Sequence, residues 1–341
     1  MMMCEVAMKV SAGNRVLMML ENAPYIRDAR VPNEAEALVS AGYHVSVICP
    51  KPPKGPWREV IEGVHIYRFP SPPSGEGLFG YIIEYGYAMF MIFILSLVVL
   101  IYEGFDIIHA HCPPDTFVFI AAFYKVLGKL FVFVHHDLAP EMYYYARFQN
   151  NANRLVYNVL ILLEKLSCRL ADLVIATNES YKKVEIERGR VPEERIAIVR
   201  NGPDMDRLRP VEPDPTLRQK ANTILGYVGA MGPQDGVDYL IRSLHHLAYS
   251  LGRDDFFCVI IGPCHVLLDL SSLAKELGVD KYVWFTGFIP EEDMLRYLST
   301  TDICVDPDPS NPFNDRCTMV KMMEYMALGK PVIVSPIGMN S

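Results

Sequence analysis

The stretch NDRCTMVKMMEYMALGKPVIV, residues 314–334, joins a polar loop, a helical pattern and an apolar strand. The helical part carries a single acid, Glu324, and ends at Gly-Lys-Pro, a sequence typical of a helix stop. The apolar run that follows is short and β-branched, which is typical of a buried strand. This order of loop, helix and strand predicts an α/β fold with a parallel sheet.

The same alternation extends along nearly the whole chain. Strands are predicted at 15–20, 44–49, 64–69, 106–110, 130–135, 172–177 and 195–199, and again at 223–229, 257–262, 281–287, 302–306 and 331–335. Helical patterns lie at 28–41, 80–102, 114–127, 152–170 and 178–189, and then at 236–249, 266–277, 291–299 and 318–328. The pattern predicts two doubly wound, Rossmann-like α/β domains in tandem.

A proline-rich segment separates the two series of strands. Residues 201–222 hold four prolines and three aspartates and little apolar periodicity, as an inter-domain linker would. We therefore predict an N-terminal domain over 1–202, a linker over 203–222 and a C-terminal domain over 223–341. The chain stops directly after a strand, so we expect the second domain to be incomplete. Ligands should bind beyond the carboxyl ends of the strands, between two facing sheets.

Composition excludes several classes of protein. The 341 residues are 51% hydrophobic and 21% charged, which predicts a folded chain of two domains. The net charge of −8 argues against nucleic acid as the main partner. Eight scattered cysteines lack the spacing of a structural zinc site, and they favour a reducing, cytoplasmic compartment.

One uncharged segment is long enough to cross a bilayer. YGYAMFMIFILSLVVLIY, residues 85–102, lies between two predicted strands that we assign to one sheet, and a membrane crossing would separate them. Two interpretations stay open: a buried or partner-covered crossover helix, and a helix lying in the surface of a membrane. The second predicts peripheral contact with the inner face of a membrane.

The quoted helix offers several candidate binding residues. Lys321 and Glu324 are three residues apart and share a face. Asp315, Arg316 and Thr318 precede it, at an N-terminus that favours anions, and Asp315 or Thr318 could cap it. The alternative is a surface helix with a Lys–Glu ion pair.

Histidines follow two of the predicted strands. His135 and His136 end one strand and are followed by Asp137 and Glu141, so this group should project from the carboxyl end of the sheet. Because alternate strand residues face opposite sides, one of the two histidines is expected to have a structural role.

A second pair of histidines lies on the preceding strand. His109 and His111 share a strand face, as metal ligands could, but no third ligand is apparent and we expect them to line the cleft. Asp306-Pro-Asp308 also resembles a metal-binding sequence, in an irregular loop that we do not assign to metal.

Residues 315–334 resemble a sequence of the retaining, nucleotide-sugar-dependent glycosyltransferases with two facing Rossmann-like domains, the GT-B architecture. By this resemblance, Glu324 binds the ribose of the donor. Arg316 stands where the family usually has a first glutamate, whereas Asp315, Thr318 and Lys321 match a variant of the pattern.

The resemblance extends over the N-terminal half, through the stretches at 28–49, 107–141, 176–183 and 199–204. It implies that His136, or alternatively His135, contacts the donor sugar, with Asp137 beside them as a further candidate catalytic residue. It also implies that the loop at 21–31 contacts the acceptor, where Tyr25, Asp28 and Arg30 are the candidates. The alternative is that Asp28 caps a helix and Arg30 is solvated.

The glycine-rich turn YVGAMGPQDG, residues 227–236, resembles the family's diphosphate-binding turn. Gly229 and Gly232 are the candidates for a close backbone approach to the donor. Ala230 and Asp235 stand where the family usually has an arginine and a lysine. Arg200, Arg316 and Lys321 are the candidates to supply the missing positive charge.

Taken together, the resemblance implies a hexosyltransferase that moves a sugar from a nucleoside diphosphate sugar to an acceptor with retention. Expected partners are the nucleotide sugar and a carbohydrate or lipid-linked acceptor of cell-surface polysaccharide or glycolipid synthesis, with no metal and no other cofactor. The family's final helices are missing, which indicates a C-terminally truncated chain. The alternatives are a nucleotide-sugar epimerase of the same architecture and a non-catalytic nucleotide-sugar-binding paralogue.

Overall fold

A computed structural model of the chain describes residues 14–27, 30–71, 77–148, 152–203, 205, 207–264 and 267–335. These residues form two compact units. The first comprises the described residues up to Pro140 together with those of Asn153–Arg200, and the second comprises those of Glu141–Ala152 and from Asn201 onward.

The N-terminal unit is built on an eight-stranded sheet of order β3-β4-β2-β1-β5-β6-β7-β8. Its strands are β1 (Arg15–Met19), β2 (His44–Pro50), β3 (Arg58–Ile61), β4 (Val64–Phe69), β5 (Ile107–His111), β6 (Leu130–His135), β7 (Leu173–Ala176) and β8 (Ile196–Ile198). All neighbouring pairs are parallel except β3 with β4. The central strands are buried on both faces, which explains their continuous apolar runs.

The longer helices of this unit are α1 (Val31–Ser40), α2 (Gly77–Tyr102), α3 (Phe117–Val126), α4 (Arg154–Leu170) and α5 (Glu179–Glu187). One core cluster packs the side chains of α1 against β1, β2, β4, β5 and β6. The predicted helices are present, and α3 begins three residues later than its pattern indicated.

Helix α2 is only partly buried against its own unit, so it is not a fully buried crossover helix. The segment Ile82–Tyr102 is long and apolar enough to cross a membrane, and only 22% of its most apolar window is buried. Ala88, Ile92 and Val99 pack inward, whereas Phe90 and Ile101 face outward. The flanking strands β4 and β5 belong to the same sheet, as predicted.

The C-terminal unit has a five-stranded parallel sheet of order β11-β10-β9-β12-β13. Its strands are β9 (Thr223–Val228), β10 (Phe256–Ile261), β11 (Val283–Gly287), β12 (Ile303–Asp306) and β13 (Val332–Val334). Its longer helices are α6 (Val237–His245), α7 (Leu267–Glu276), α8 (Glu291–Thr300) and α9 (Val320–Ala327). Two core clusters cover the two faces of β9 and β10, as alternate strand residues require.

The hairpin of β3 and β4 is the strand pairing that the sequence pattern missed. Glu62 and Gly63 connect the two strands with φ angles of 49° and 83°. A two-residue hairpin with both φ angles positive usually carries Asn-Gly or Asp-Gly, so a glutamate at the first position concealed it.

Candidate functional site

The carboxyl edge of β5 and β6 gathers three histidines of the N-terminal unit. His109 and His111 point to one face of β5, and His136 directly follows β6. His111 Nδ1 lies 2.9 Å from His136 Nε2, and all three side chains are nearly buried. Burial, and then the charges of Arg30 and His109, hold the pKa of His136 well below its usual range. His136 is therefore a neutral imidazole at neutral pH.

Glu34, in the first turn of α1, reaches the same cluster. Its Oε2 lies 3.0 Å from His109 Nε2 and 3.9 Å from His111 Nε2. Glu34 Oε1 lies 3.8 Å from His136 Nε2. No sequence pattern singled out Glu34, because it is 75 residues from His109. Its place in the first turn of a helix that follows β1 was the one available signal.

Arg30 and Asp137 lie next to this cluster and interact with each other. Arg30 Nη1 is 3.9 Å from Asp137 Oδ2, and both side chains are about 30% exposed. The structure thus brings together His136, Asp137 and Arg30, residues that the sequence assigned to catalysis and to acceptor binding.

His135 faces the opposite side of the sheet, among acidic residues. Its Nδ1 lies 3.2 Å from Glu185 Oε1, and its Nε2 lies 3.7 Å from Glu164 Oε2. Burial alone would lower the pKa of His135, but the hydrogen bond with Glu185 and the charges of Glu164 and Asp115 raise it to about 9. His135 is thus a buried structural cation, and the alternative assignment of His135 to sugar contact is wrong.

Tyr25 and Arg30, two of the predicted acceptor contacts, are placed differently from each other. Tyr25 is 3% exposed and belongs to the core cluster, so the expectation that its ring contacts an acceptor is wrong. Asp28 lies outside the described residues. Arg30 is partly exposed and occupies the N-cap position of α1, where no side-chain hydrogen bond caps the helix.

In the C-terminal unit, the glycine-rich turn after β9 is held by its own hydrogen bonds. Gly229 N–H donates to Ile261 O, and Gly232 N–H donates to Asp235 Oδ2 at 2.8 Å. Asp235 thus occupies the amide of Gly232, one of the two glycines predicted to approach the donor closely. Both glycine amides already have partners within the protein, so a close approach there would not by itself offer a free N–H group to a ligand.

Lys321 is bound by two aspartates rather than by Glu324. Its Nζ lies 2.6 Å from Asp308 Oδ1 and 3.1 Å from Asp306 Oδ1. The Lys321–Glu324 ion pair considered above is therefore absent from the described contacts of Lys321. Asp306 and Asp308 resemble a metal-binding pair in sequence, but in the structure they bind this lysine instead. The geometry could not be read from the sequence, because the loop between β12 and α9 is irregular.

The N-terminus of α9 is not capped as predicted. Its N-cap residue is Met319, which makes no capping hydrogen bond, so neither Asp315 nor Thr318 has that role. Both side chains are exposed. Asp315 Oδ2 accepts a hydrogen bond from Ser310.

Two arginines remain as candidate cations for a diphosphate. Arg316 Nη1 donates to Pro312 O at 2.6 Å and lies 3.9 Å from Glu141 Oε1. The side chain of Arg316 is 39% exposed. Arg200 is exposed at the end of the N-terminal unit.

Glu324 is partly buried in the middle of α9. Burial, and then the charge of Glu291, raises the pKa of Glu324. A partly buried carboxyl group is suited to accept hydrogen bonds from the hydroxyl groups of a ligand, because fewer water molecules compete for its oxygens.

Two tandem Rossmann-like units with polar residues at the carboxyl ends of their strands fit the GT-B fold. Residues 30–207, just over half of the chain, match the model of Glycosyltransferase Family 4. Residues 222–341 match the model of the Glycosyl transferases group 1. The chain belongs to Glycosyltransferase Family 4.

Similar proteins agree with this assignment. The chain is 27% identical over 319 residues to the uncharacterized glycosyltransferase MJ1607 of Methanocaldococcus jannaschii, covering 89% of this chain and 75% of that protein. The chain spans a smaller part of other curated relatives, for example 36% of the length of D-inositol 3-phosphate glycosyltransferase from Mycobacterium marinum.

Solved structures share the fold at lower identity. Sucrose-phosphate synthase from Thermosynechococcus elongatus superposes with a TM-score of 0.74 at 18% identity, over 96% of this chain and 82% of that one. Anabaena Alr3699/HepE in complex with UDP-glucose superposes with a TM-score of 0.64 at 17% identity, over 95% and 80%.

Proposed function

We propose that this glycosyltransferase moves a hexose from a nucleoside diphosphate sugar to an acceptor, with retention of anomeric configuration. The observation that carries the proposal is Glu324, a partly buried carboxylate on α9 whose pKa is raised by burial. It occupies the position that binds the donor ribose in the sequence pattern described above. UDP-glucose in the structure of Anabaena Alr3699/HepE supports a donor of this class.

His136 and Asp137 have positions suited to the sugar end of the reaction. They follow β6, at the edge where ligands bind in doubly wound sheets. A neutral His136 can donate one hydrogen bond to a sugar hydroxyl without adding charge beside an oxocarbenium-like transition state. Arg30, close to Asp137, is the candidate for an anionic group of the acceptor.

Arg316 is the best-placed cation for the leaving diphosphate within the C-terminal unit. Lys321 is neutralised by Asp306 and Asp308, whereas Arg316 is 39% exposed and lies just before α9. A guanidinium group binds phosphate oxygens in pairs, which suits the transition-state charge. Arg200 is a second candidate.

A donor panel tests the assignment. Purified protein is incubated with UDP-, GDP- and ADP-hexoses, with and without an acceptor extract of lipids and polysaccharides, and products are read by mass spectrometry. A transferase consumes donor when acceptor is present, with at most slow hydrolysis otherwise. Glu324→Ala should abolish consumption, whereas Glu292→Ala, an exposed acid on α8, should leave it unchanged.

One specific observation favours a second candidate, a nucleotide-sugar-binding protein without transfer activity. Asp235 bonds the Gly232 amide and places a carboxylate where the related sequences have a cation. Under this alternative the donor binds by calorimetry, Glu324→Ala abolishes that binding, and no extract supports turnover. An epimerase would convert the donor without any acceptor.

We further propose that the acceptor lies at the cytoplasmic face of a membrane, in polysaccharide or glycolipid synthesis. Three neighbouring helices of the N-terminal unit expose apolar side chains, here called the apolar face: Phe90, Ile94 and Ile101 of α2, Phe119, Phe123 and Val126 of α3, and Leu155, Val159 and Leu162 of α4. The Phe93 and Phe123 rings, 5.3 Å apart, connect α2 with α3. Such a surface suits the interfacial region of a bilayer.

Liposome flotation tests the membrane contact. The wild type should float with vesicles of phosphatidylethanolamine and phosphatidylglycerol, and Phe90→Lys with Ile94→Lys should remain in the dense fraction. Phe288→Lys changes an exposed aromatic residue of the C-terminal unit and serves as the control. Equal flotation of all three proteins, or none by any, would contradict the proposal.

A further inference from the structure

Glu34, His109 and His111 form a compact group of potential metal ligands in the N-terminal unit. One ligand atom from each residue lies within 4.8 Å of the other two. His109 and His111 are on the same face of β5, and Glu34 approaches them from α1. A rigid strand and a helix therefore fix all three residues, which reduces the entropy that a metal would have to overcome on binding.

His136 prepares His111 to be a ligand. The 2.9 Å contact joins His111 Nδ1 to His136 Nε2. With the shared proton on His111 Nδ1, the other ring nitrogen, Nε2, carries the lone pair and faces Glu34 at 3.9 Å. Metal-bound histidines usually donate their second N–H to a neighbouring group, which fixes their tautomer and orientation.

The separations are close to those that a metal requires. Metal–ligand bonds of about 2.0–2.1 Å in a tetrahedral site place the ligand atoms roughly 3.3 Å apart. Glu34 Oε2 is 3.0 Å from His109 Nε2 and 3.9 Å from His111 Nε2. The ligand nitrogens of His109 and His111 lie within 4.8 Å of each other, so side-chain rotations would have to draw the three atoms together around an ion.

We propose that Glu34, His109 and His111 bind a divalent transition metal, with zinc the best match, and leave one coordination position open. Two imidazoles and one carboxylate are the donor set of zinc sites with an open position, and they disfavour Mg²⁺ and Ca²⁺, which prefer oxygen alone. The proposal goes beyond the glycosyltransferase assignment, for which the sequence predicts no metal.

The charges around the site permit a cation. Arg30, four residues before Glu34, is the neighbouring positive side chain, and its guanidinium lies 3.9 Å from Asp137. Asp137 offsets part of that charge, and Glu34 itself supplies the anionic ligand.

A second group of similar composition serves as an internal comparison. His44, His65 and Glu103 also lie within ligand distance of one another. There, Glu103 accepts hydrogen bonds from Arg58 at 2.5 Å and from the Tyr67 hydroxyl at 2.7 Å. The guanidinium occupies the carboxylate that a metal would need, so this second group should not bind one.

Metal binding by the full chain is the test. Protein freed of metal with a chelator is titrated with Zn²⁺ by calorimetry and with Co²⁺ by visible absorption. We expect one equivalent of each metal and the ligand-field bands of a four- or five-coordinate Co²⁺ ion. A fivefold excess of Mg²⁺ should not compete.

Variants locate the site. Glu34→Gln and His109→Asn should each weaken Zn²⁺ binding by at least about a hundredfold, and His136→Asn by about tenfold to a hundredfold through loss of the orienting bond. His65→Asn, in the second group, should bind as the wild type does. Circular dichroism establishes that each variant is folded. If Glu34→Gln or His109→Asn does not fold, the other of these two variants alone provides the test.

Two results would overturn the proposal. The first is that the wild type neither binds Zn²⁺ stoichiometrically nor shows the Co²⁺ bands. The second is that Glu34→Gln and His109→Asn bind Zn²⁺ as tightly as the wild type does. Either result would leave the glycosyltransferase assignment unaffected, because the donor panel measures it separately.

Discussion

Lys321 Nζ lies 2.6 Å from Asp308 Oδ1, and a second carboxylate, Asp306, lies on its other side at 3.1 Å. All three side chains are 10% exposed or less. Burial raises the pKa of Asp308 to about 7, although the charge of Lys321 lowers it. The lysine thus fastens α9 to the loop that follows β12, and this positions the helix that carries Glu324.

Removal of Lys321 should destabilise the C-terminal unit. Lys321→Met leaves two buried carboxylates without a counter-charge, and such losses cost on the order of 3–5 kcal/mol. The loss should be smaller at pH 5 than at pH 8, because a protonated Asp308 no longer needs the ammonium group. Urea unfolding at the two pH values measures the difference.

A double variant supplies the control for Lys321. Adding Asp308→Asn to Lys321→Met removes one of the two unpaired charges and should restore part of the stability at pH 8. A double variant less stable than Lys321→Met at pH 8 would contradict the charge argument.

The charge of His135 should make stability depend on pH. Its pKa is about 9 in the folded chain and about 6.5 in the unfolded chain, so its contribution is complete below pH 6.5 and is lost as the pH rises to 9. His135→Gln should therefore cost on the order of 2–3 kcal/mol at pH 6 and much less at pH 9.

The comparison between variant and wild type isolates His135 from other groups that titrate in this range. The pKa of Asp115 is raised to about 7 by burial, so the window from pH 7 to 9 is the cleanest. Parallel stability curves of His135→Gln and wild type across that window would show that the imidazole is neutral throughout.

The buried pair of Arg188 and Glu164 should contribute far more to stability than the more exposed pair of Lys182 and Glu193. Arg188 donates to both oxygens of Glu164, at 2.6 Å and 2.5 Å, and Glu164 is 1% exposed. Arg188→Met removes both hydrogen bonds and leaves the buried carboxylate of Glu164 with only the more distant charge of His135, at a cost on the order of 3–5 kcal/mol. Thermal unfolding measures the loss.

Lys182 provides the matched control, because it pairs with Glu193, whose side chain is 71% exposed. Lys182→Met should barely change the midpoint of unfolding, since water solvates the glutamate that remains. Similar losses for Arg188→Met and Lys182→Met would refute the argument from burial.

Gly236 should tolerate no side chain, because its backbone and its neighbours both exclude one. Its φ is +60°, and a Cβ there would lie 2.2 Å from the carbonyl oxygen of Pro307. Gly236→Ala should cost at least roughly 2–3 kcal/mol, from strain and displacement of that loop.

Gly42 separates the two causes, since its φ is +88° but no atom lies within 4 Å of its Cβ position. Gly42→Ala should cost only the conformational strain, about 1 kcal/mol. Equal costs for Gly236→Ala and Gly42→Ala in urea unfolding would contradict a steric role for Pro307.

Much of the fold followed from the alternation of strands and helices, because parallel sheets bury whole strands as apolar runs. The motif around Glu324 identified the class of protein from 20 residues. The hairpin of β3 and β4 was missed because Glu62 adopts a positive φ that the residue type rarely has.

Side-chain partners were harder to predict than elements. Glu34 and His109 meet across 75 residues, and the rotation of α1 that brings them together is set by tertiary packing. Tyr25 was expected in a binding loop, yet the side chain fills the core beneath α1. Asp235 could be seen as an unusual charge in the turn, but its bond to Gly232 depends on local backbone geometry that sequence spacing does not give.

The strand order also constrains how the chain can fold during synthesis. β1 lies between β2 and β5, so one edge of the first strand stays open until the ribosome has released the segment that ends at His111. An open, apolar edge in a nascent chain invites pairing with other chains. We expect translation products that end between α2 and β5 to need chaperones more than products that include β5, which closes the open edge of β1.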